Sequence, residues 1–418
     1  MVINANPSST PASLRRSHRG MALSLIERQP GVSRSDLARA LGFSEMAATR
    51  IVRELLAAGL VEEFDGPPKS TRKRKSVGRP KTGLRIVADS VFAVGITVSA
   101  YHSEVSITDA AGTIVASRIV PDPSFTSVET AARIYGRALR DLIDETRVDA
   151  GRIVGIGVAL SARTDPERCE IIRSEYFGWA NDGGAFCHEI RKAIDLPIEI
   201  ENIANALAIA EMRFGAAREA REFALVHAAT FVGASIVSEN RVVRGASGVS
   251  GLIGHVRSSE SDLTCVCGRH DCLNLNATGF GLLSRLGRLD QPQFDRARLS
   301  FYAESLLDVL GDGSATGLID EAGRALAPAI DSMGKILGPE MIIIGGHLGT
   351  NPTYFEGVDA ALRADFGHDR DAPFRLQRGT IAPERAAALL ALHAFFYSDR
   401  LDFDRLAETS ERRSAANG

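Results

Sequence analysis

The sequence predicts a small winged helical domain joined to a larger α/β body of two similar lobes. Three observations carry that reading: a basic first fifth, a three-strand pattern that occurs twice, and a length of 418 residues, which calls for two or three domains. Residues 1–90 hold 16 Lys+Arg against 8 Asp+Glu, a net +8, while the remainder stands at −11. A basic segment on an acidic body implies an appended module for a polyanion. Hydrophobic residues at 44% and charged residues at 24% are those of an ordinary globular protein. No apolar run approaches the roughly 18 residues of a membrane span. The opening MVINANPSSTPASLRRSHRG has arginines with no apolar core behind them, so no secretory signal is read there. Five cysteines, three of them within residues 265–272, point to a metal cluster in a reducing compartment, hence a cytoplasmic protein with no membrane partner.

Residues 1–18 are expected to form a flexible arm and residues 19–90 a winged helix-turn-helix. GMALSLIERQPG places apolar side chains at Met21, Leu23, Leu25 and Ile26 before a Pro-Gly stop. In VSRSDLARALGF, Ser33 reads as a helix N-cap with Asp36 three positions on, and Gly42 as the stop. A second helix follows from Ser44 through Leu56. Two short capped helices about a glycine turn are the helix-turn-helix pattern. Ser44, Ala47, Thr49, Arg50 and Arg53 are the candidates to meet bases and phosphates, with Ala47 and Ala48 small enough for close approach. LVEEF and LRIVA then read as two wing strands about a basic loop, in which seven of the thirteen residues from Lys69 to Lys81 are Lys or Arg. Arg72, Lys73, Arg74 and Lys75 supply phosphate contacts, and Arg79, between Gly78 and Pro80, suits a narrow minor groove. The predicted partner is a double-stranded DNA operator.

From residue 91 the texture changes. VFAVGITVSA, YHSEVSITDAAG and TIVASRIV read as three strands, followed by a helix at about 127–146 and a buried strand, IVGIGVALS. After residue 221 the pattern returns in EFALVHAATFVGASIVSENRVVRGA, and EMIIIGGHLG supplies a further buried strand. Two such copies predict an α/β body of the actin-like, sugar-kinase-like (ribonuclease H-like) kind with a ligand cleft between lobes. The first lobe is expected over 91–205, with a C-terminal helix at 381–398 packing back on it. The second is expected over 206–380, and residues 399–418 as a largely disordered tail.

GLIGHVRSSESDLTCVCGRHDCL contains His255, Cys265, Cys267 and Cys272 at the spacing H-x9-C-x-C-x4-C. Three thiolates and an imidazole suit a closed tetrahedral Zn²⁺ site, which is structural rather than catalytic. His270 competes for the histidine position, and Cys169 and Cys187 read as separate small core residues.

Several stretches resemble the ROK group of repressors, open reading frames and sugar kinases, over essentially the whole chain. VRGASGVSGLIGH is similar to the family's RGxxGxAGEIGH, CVCGRHDCLN to its CxCGxxGCLE zinc loop, and FGWAN with ENIAN to its paired sugar-contacting segments. The resemblance implies effector contacts at Asn181, Glu201, Asn202 and His255. The departures imply loss of chemistry. The catalytic base of E-N-D-A-N is here Ile203, which has no titratable group. The phosphate loops D-x-G-G-T and T-x-G-T-G-I-G correspond to VGITV (94–98) and AATFVGA (228–234). The Glu of GEIGH is Leu252, and that of CLE is Asn274. The expected protein is therefore not an enzyme and takes no ATP. It is a repressor of carbohydrate-related genes that senses a sugar or sugar-derived effector, contains structural Zn²⁺, and reads a palindromic operator as a homodimer or dimer of dimers. Two other readings stand beside it: a sugar kinase with a DNA-binding head, and a regulator governed by a protein partner with no small effector.

Overall fold

The computed structural model describes residues 11–64, 82–99, 103–120, 126–146, 148–313, 315–366 and 374–416. The head comprises α1 (Pro11–Arg28), α2 (Arg34–Leu41), α3 (Glu45–Ala57), β1 (Val61–Phe64) and β2 (Gly83–Ile86). Local chemistry sets the turn between α2 and α3. Ser33 caps α2 by accepting the Asp36 N–H, and Ser44 caps α3 by accepting the Ala47 N–H. Gly42 between them takes the left-handed conformation, φ 69°, that a side chain would strain. Leu37, Ala48, Ile51, Val52 and Leu55 bury the facing stripes. β1 and β2 pair antiparallel from Val61↔Ile86 to Phe64↔Gly83. The basic loop that joins them, with Arg72, Lys73, Arg74, Lys75 and Arg79, lies outside the described residues.

The first lobe runs β3 (Phe92–Val98), β4 (Ser103–Asp109), β5 (Ile114–Ile119), α4 (Val128–Thr146), β6 (Ile153–Leu160), β7 (Arg163–Asp165), β8 (Glu170–Arg173), α5 (Ala185–Ala193), β9 (Ile198–Asn202) and α6 (Ile203–Phe214). The second runs β10 (Phe223–Ala228), β11 (Val232–Ser238), β12 (Arg241–Val242), α7 (Gly279–Arg285), α8 (Leu299–Asp312), α9 (Thr316–Leu337), β13 (Met341–Gly345), α10 (Gly346–Gly349), α11 (Pro352–Phe366) and β14 (Arg375–Arg378). α12 (Pro383–Phe395) and α13 (Phe403–Ala416) complete the described chain. The two sheets have orders β5-β4-β3-β6-β9 and β12-β11-β10-β13-β14, so each strand of one has its counterpart in the other. In both, the first three strands pair antiparallel and the last two join in parallel.

The lobes exchange their central helices. α6, which follows the first sheet, packs on β10 and β11, whereas α12, which follows the second, packs on β3 and β6. Small residues permit that approach. A Cβ on Gly157 would stand 1.8 Å from the Ala387 carbonyl oxygen, and Ala386, Ala387, Ala388 and Ala391 are all buried. Every residue of β6 and of β10 is buried, as expected of central strands covered on both faces.

Three sequence expectations are corrected. Helix α1 begins at Pro11, so the arm expected to be flexible through residue 18 is in part helical. The tail expected to be disordered from residue 399 forms α13, whose Phe403 and Leu406 are buried. With so few apolar anchors in a polar segment, its amphipathic pattern did not stand out. Cys169 and Cys187 are bonded to one another rather than separate. Cys169 takes a left-handed φ of 56° at the β7–β8 turn, next to the start of α5.

Candidate functional site

A cleft opens between the lobes. One wall comes from the end of β6, from β7 and from the segment after β8, through Ser161, Ala162, Arg163, Glu175 and Tyr176. The floor is the start of α6, Asn202, Ile203 and Ala204. The opposite wall is His227, Ala229–Gly233, Leu252, Gly254 and His255. Of the four residues expected to contact an effector, Asn202 and His255 line this cleft, and Asn181 and Glu201 do not. Asn181 is exposed, its carboxamide oxygen accepting the Gly183 N–H at 2.9 Å. Glu201 is fully buried and held by Arg244, whose Nε donates to it at 2.9 Å, and by the Asn205 amide at 3.1 Å. Burial pushes the Glu201 carboxyl up, against the opposing pull of Arg244. Asn202 works locally: its oxygen caps Ala204 N–H at 2.8 Å and its amide donates to the Ala162 carbonyl at 3.0 Å.

Ile203 is the first residue of α6 and is buried against the cleft. The 228–234 segment is likewise apolar. Phe231 packs on Tyr176 at 4.8 Å, Phe294 at 5.3 Å and Phe280 at 5.7 Å between ring centres. Gly95, the one glycine of 94–98, packs its α-carbon against the α12 backbone, where a Cβ would meet Ala388 N at 2.5 Å. Asn274 stands behind the cleft wall, buried, accepting the Val232 N–H at 2.9 Å. It therefore braces β11 from behind. His227 is buried at the cleft, and burial pushes its imidazole down to about 4, so it is neutral.

The metal-type cluster is a second feature on the same wall. His255, Cys265, Cys267 and Cys272 present ligand atoms that all lie within 4.8 Å of one another. Cys265 Sγ is 3.6 Å from His255 Nδ1, and Cys267 Sγ is 3.4 Å from Cys272 Sγ. Bonds of about 2.3 Å in a tetrahedron set thiolates roughly 3.8 Å apart, so the donor set fits. Cys265–Gly268 is a tight turn, with Gly268 N–H donating to the Cys265 carbonyl at 2.8 Å. Burial pushes the Cys265 thiol up to about 12, which a bound cation would reverse. His270 is turned to the Leu263 carbonyl at 2.9 Å and stands apart from the four.

On the head, Ser44, Thr49, Arg50 and Arg53 are exposed along α3 and Ala47 is half-buried. Ala48, expected to approach a groove, is instead fully buried in the head's core. Met46, which sequence reasoning passed over, is 85% exposed on the first turn of α3. α1 ties the head to the body. Ser24 Oγ donates to the Tyr397 carbonyl at 3.1 Å, Arg19 lies over the Phe403 ring at 3.7 Å, and Glu27 pairs with Arg218 at 2.8 Å. α13 joins in where Ser410 Oγ donates to the Ala58 carbonyl at 2.7 Å. The far end of α6 reaches this joint, with Arg213 buried over the Tyr397 ring at 4.9 Å. Among the described residues, no helix is long and apolar enough to cross a membrane.

A ROK family model matches residues 93–371, and a MarR family model matches residues 17–68. The chain is similar to the DNA-binding transcriptional dual regulator NagC of Escherichia coli strain K12. They are 24% identical over 328 residues, 78% of this chain and 79% of that one. It is also similar to a glucokinase of Streptomyces coelicolor, 24% identical over 276 residues, 62% of this chain and 82% of that one. Among solved structures, a ROK family transcriptional regulator, a homolog of the E. coli MLC protein, superposes with a TM-score of 0.72 at 21% identity. The match covers 95% of this chain and 100% of that one, and it is a likeness of fold.

Proposed function

The chain belongs to the ROK family, and from that premise we propose that it is a DNA-binding transcriptional repressor of carbohydrate-related genes, with a kinase-like body that senses an effector and transfers no phosphate. Ile203 carries the reading: an aliphatic side chain buried against the cleft offers nothing that accepts a proton from a sugar hydroxyl. The aromatic cluster around Phe231 and the packing of Gly95 against α12 support it: α12 closes off Gly95, and Gly233 is the one glycine that the 228–234 segment offers the cleft. The relative that is a transcriptional regulator and the MarR-type match over the head point the same way.

In this reading α3 enters the major groove with Ser44, Ala47, Thr49, Arg50 and Arg53, and the wing arginines and lysines, Arg72, Lys73, Arg74, Lys75 and Arg79, follow the phosphates and minor groove. A homodimer, or a dimer of dimers, reads a palindrome. Zn²⁺ at His255, Cys265, Cys267 and Cys272 fixes the wall that carries Leu252 and Gly254. Effector bound at the start of α6 moves that helix, whose other end packs through Arg213 on Tyr397, the residue that Ser24 of α1 contacts, and so changes the set of the heads. Such couplings are typically about 1–3 kcal/mol.

Genome-wide mapping of bound DNA, followed by affinity measurements across a salt series, tests the proposal. Discrete palindromic sites beside carbohydrate genes and a steep salt dependence are expected. Salt-insensitive or absent association would overturn it. The glucokinase relative favours a second reading, a kinase with a DNA-binding head. Sugar-dependent release of ADP by pure protein would establish that one, and none is expected.

A further inference from the structure

We propose that Cys169 and Cys187 form a reversible thiol–disulfide switch, exchanging with low-molecular-weight thiols and disulfides, that fastens or loosens a strap between the two lobes. The inference is independent of what the cleft binds and of whether the head binds DNA.

The strap is the chain between the two cysteines, which stand 18 residues apart. It lies on the first lobe through β8 and through Trp179, whose Nε1 donates to the Thr126 carbonyl at 3.0 Å. Midway it reaches the second lobe. Tyr176 packs on Phe231 at 4.8 Å and edge-on against Phe294 at 6.1 Å, and Arg296 Nε donates to the Glu175 carbonyl at 2.7 Å. The bond from Cys169, at the β7–β8 turn, to Cys187, in the first turn of α5, ties both ends of the strap to the first lobe. Closing a loop removes the conformations it would otherwise sample. A bonded strap therefore grips the second lobe more firmly than an open one.

The two cysteines are brought together by hydrogen bonds that do not involve sulfur. Asp165 Oδ1 accepts the N–H groups of Glu167 at 3.1 Å and Arg168 at 3.2 Å, shaping the turn that presents Cys169. Asp182 holds both sides at once. Its Oδ1 accepts the N–H of Ile171 in β8 at 2.8 Å and of Gly184 at 3.0 Å, and its Oδ2 accepts that of Phe186 in α5 at 2.9 Å. The Cα atoms are 6.2 Å apart, within bridging range. A pair placed in this way stays adjacent when reduced and can close again, as a switch requires.

The surroundings favour exchange over a permanent bond. Cys265, Cys267 and Cys272 can serve a cation only as free thiolates, so conditions that suit that cluster also bring small thiols to the pair. Entry is one-sided: Cys169 is 8% exposed beside the exposed Arg168, while Cys187 is fully buried. A small thiolate attacks the Cys169 sulfur, the S–S bond breaks, and its electron pair leaves on Cys187, which takes a proton. A second small thiolate then displaces Cys169 from the mixed disulfide. Two protein thiols and one small disulfide result, and oxidation by that small disulfide runs the same steps backwards.

The test places the full chain in a series of glutathione to glutathione disulfide ratios, with metal content checked at each. Free thiols are trapped by alkylation and located by mass spectrometry. Cys169 and Cys187 are expected to gain and lose label together and reversibly across the series. Trp179, the chain's only tryptophan, packs on Phe186 beside Cys187 at 6.4 Å, so its fluorescence should change with the same midpoint. Amide exchange over residues 174–184 should run about tenfold or more faster in the reduced protein. The double variant Cys169→Ser, Cys187→Ser should match reduced wild type and ignore glutathione disulfide, any remaining response then belonging to the metal-type cluster. If that variant fails to fold, the wild-type series still decides. A pair reduced at every ratio, or bonded at every ratio, would overturn the switch. Reversible bonding that leaves exchange over 174–184 unchanged would overturn the strap.

Discussion

The two ends of α6 differ in kind. Its first turn faces the cleft with Ile203 and Ala204, where the resemblance to kinases places an acid, and offers an effector no carboxylate. Its last turn, about 18 Å away for a helix of 12 residues, is dense with buried charge. Glu211, 1% exposed, accepts the N–H groups of Ala216 at 2.6 Å, Thr380 at 2.6 Å and Ile381 at 2.8 Å, and the Thr380 hydroxyl at 2.9 Å. Arg213 lies over Tyr397, and just beyond the helix Arg218 pairs with Glu27 of α1. Buried charges persist only where partners compensate them. The end where a kinase would do chemistry has therefore become hydrocarbon, while the end that meets the DNA-binding head keeps its ionic framework. The contrast fits the proposed regulator, in which a signal from the cleft runs along α6.

Four experiments bear on that contrast, the largest expected effect first. If the His255, Cys265, Cys267 and Cys272 cluster holds zinc as proposed, removing the metal strikes the cleft end, whose wall carries His255. A structural Zn²⁺ site contributes about 10 kcal/mol in small domains, so chelation or Cys272→Ser should lower the melting temperature steeply and abolish ligand-induced stabilisation. A metal-free protein, verified by elemental analysis, that melts unchanged would remove zinc from the account. Glu211→Gln strikes the other end. With three N–H bonds and one hydroxyl bond weakened, about 3 kcal/mol should be lost in urea unfolding. The mutant should still bind effector and DNA separately while the influence of one on the other shrinks; full coupling would mean that the signal travels elsewhere.

Acid provides the third. Burial holds His393 of α12 down to about 3, with Arg213 and Arg28 adding to the effect, and His227 down to about 4. Both lie below the usual 6.5, so the folded state binds these protons less readily than the unfolded chain. The stability that follows is complete above about pH 6.5 and is lost as pH falls towards those values, at up to about 1.4 kcal/mol per pH unit for each group. His393→Leu should flatten about half of that acid slope between pH 6 and 4; an unchanged slope would place the acid sensitivity elsewhere. The smallest effect belongs to the DNA face. Arg50→Ala should weaken DNA binding by about 1 kcal/mol and lower the salt slope by about one, leaving cleft binding untouched. A wild-type salt slope in that mutant would take Arg50 off the DNA.

What the sequence made legible were features encoded within a few residues. Ser33, Gly42 and Ser44 bracket the two head helices by local hydrogen bonds, and the thiols of 265–272 announce themselves by spacing. The doubled strand pattern anticipated two matching sheets because it repeats in chain order. What stayed hidden depends on partners far apart in sequence. Glu201 reads as a cleft acid until Arg244 takes it, and Asn274 reads as a lost sugar contact until Val232 claims it. Cys169 and Cys187 look solitary until the fold joins them. Arg163 and Thr230 belong to no motif; only the cleft brings them together.

The exchange of α6 and α12 between sheets governs how the chain can be made. β3 and β6 present their glycines, Gly95 and Gly157, to a helix at residues 383–395. During synthesis the first sheet emerges long before the helix that covers it. Contacts of such sequence separation slow folding and leave apolar surface open meanwhile. The first lobe is thus a poor candidate for expression as an isolated fragment, and the nascent chain is a natural client for chaperones until α12 arrives.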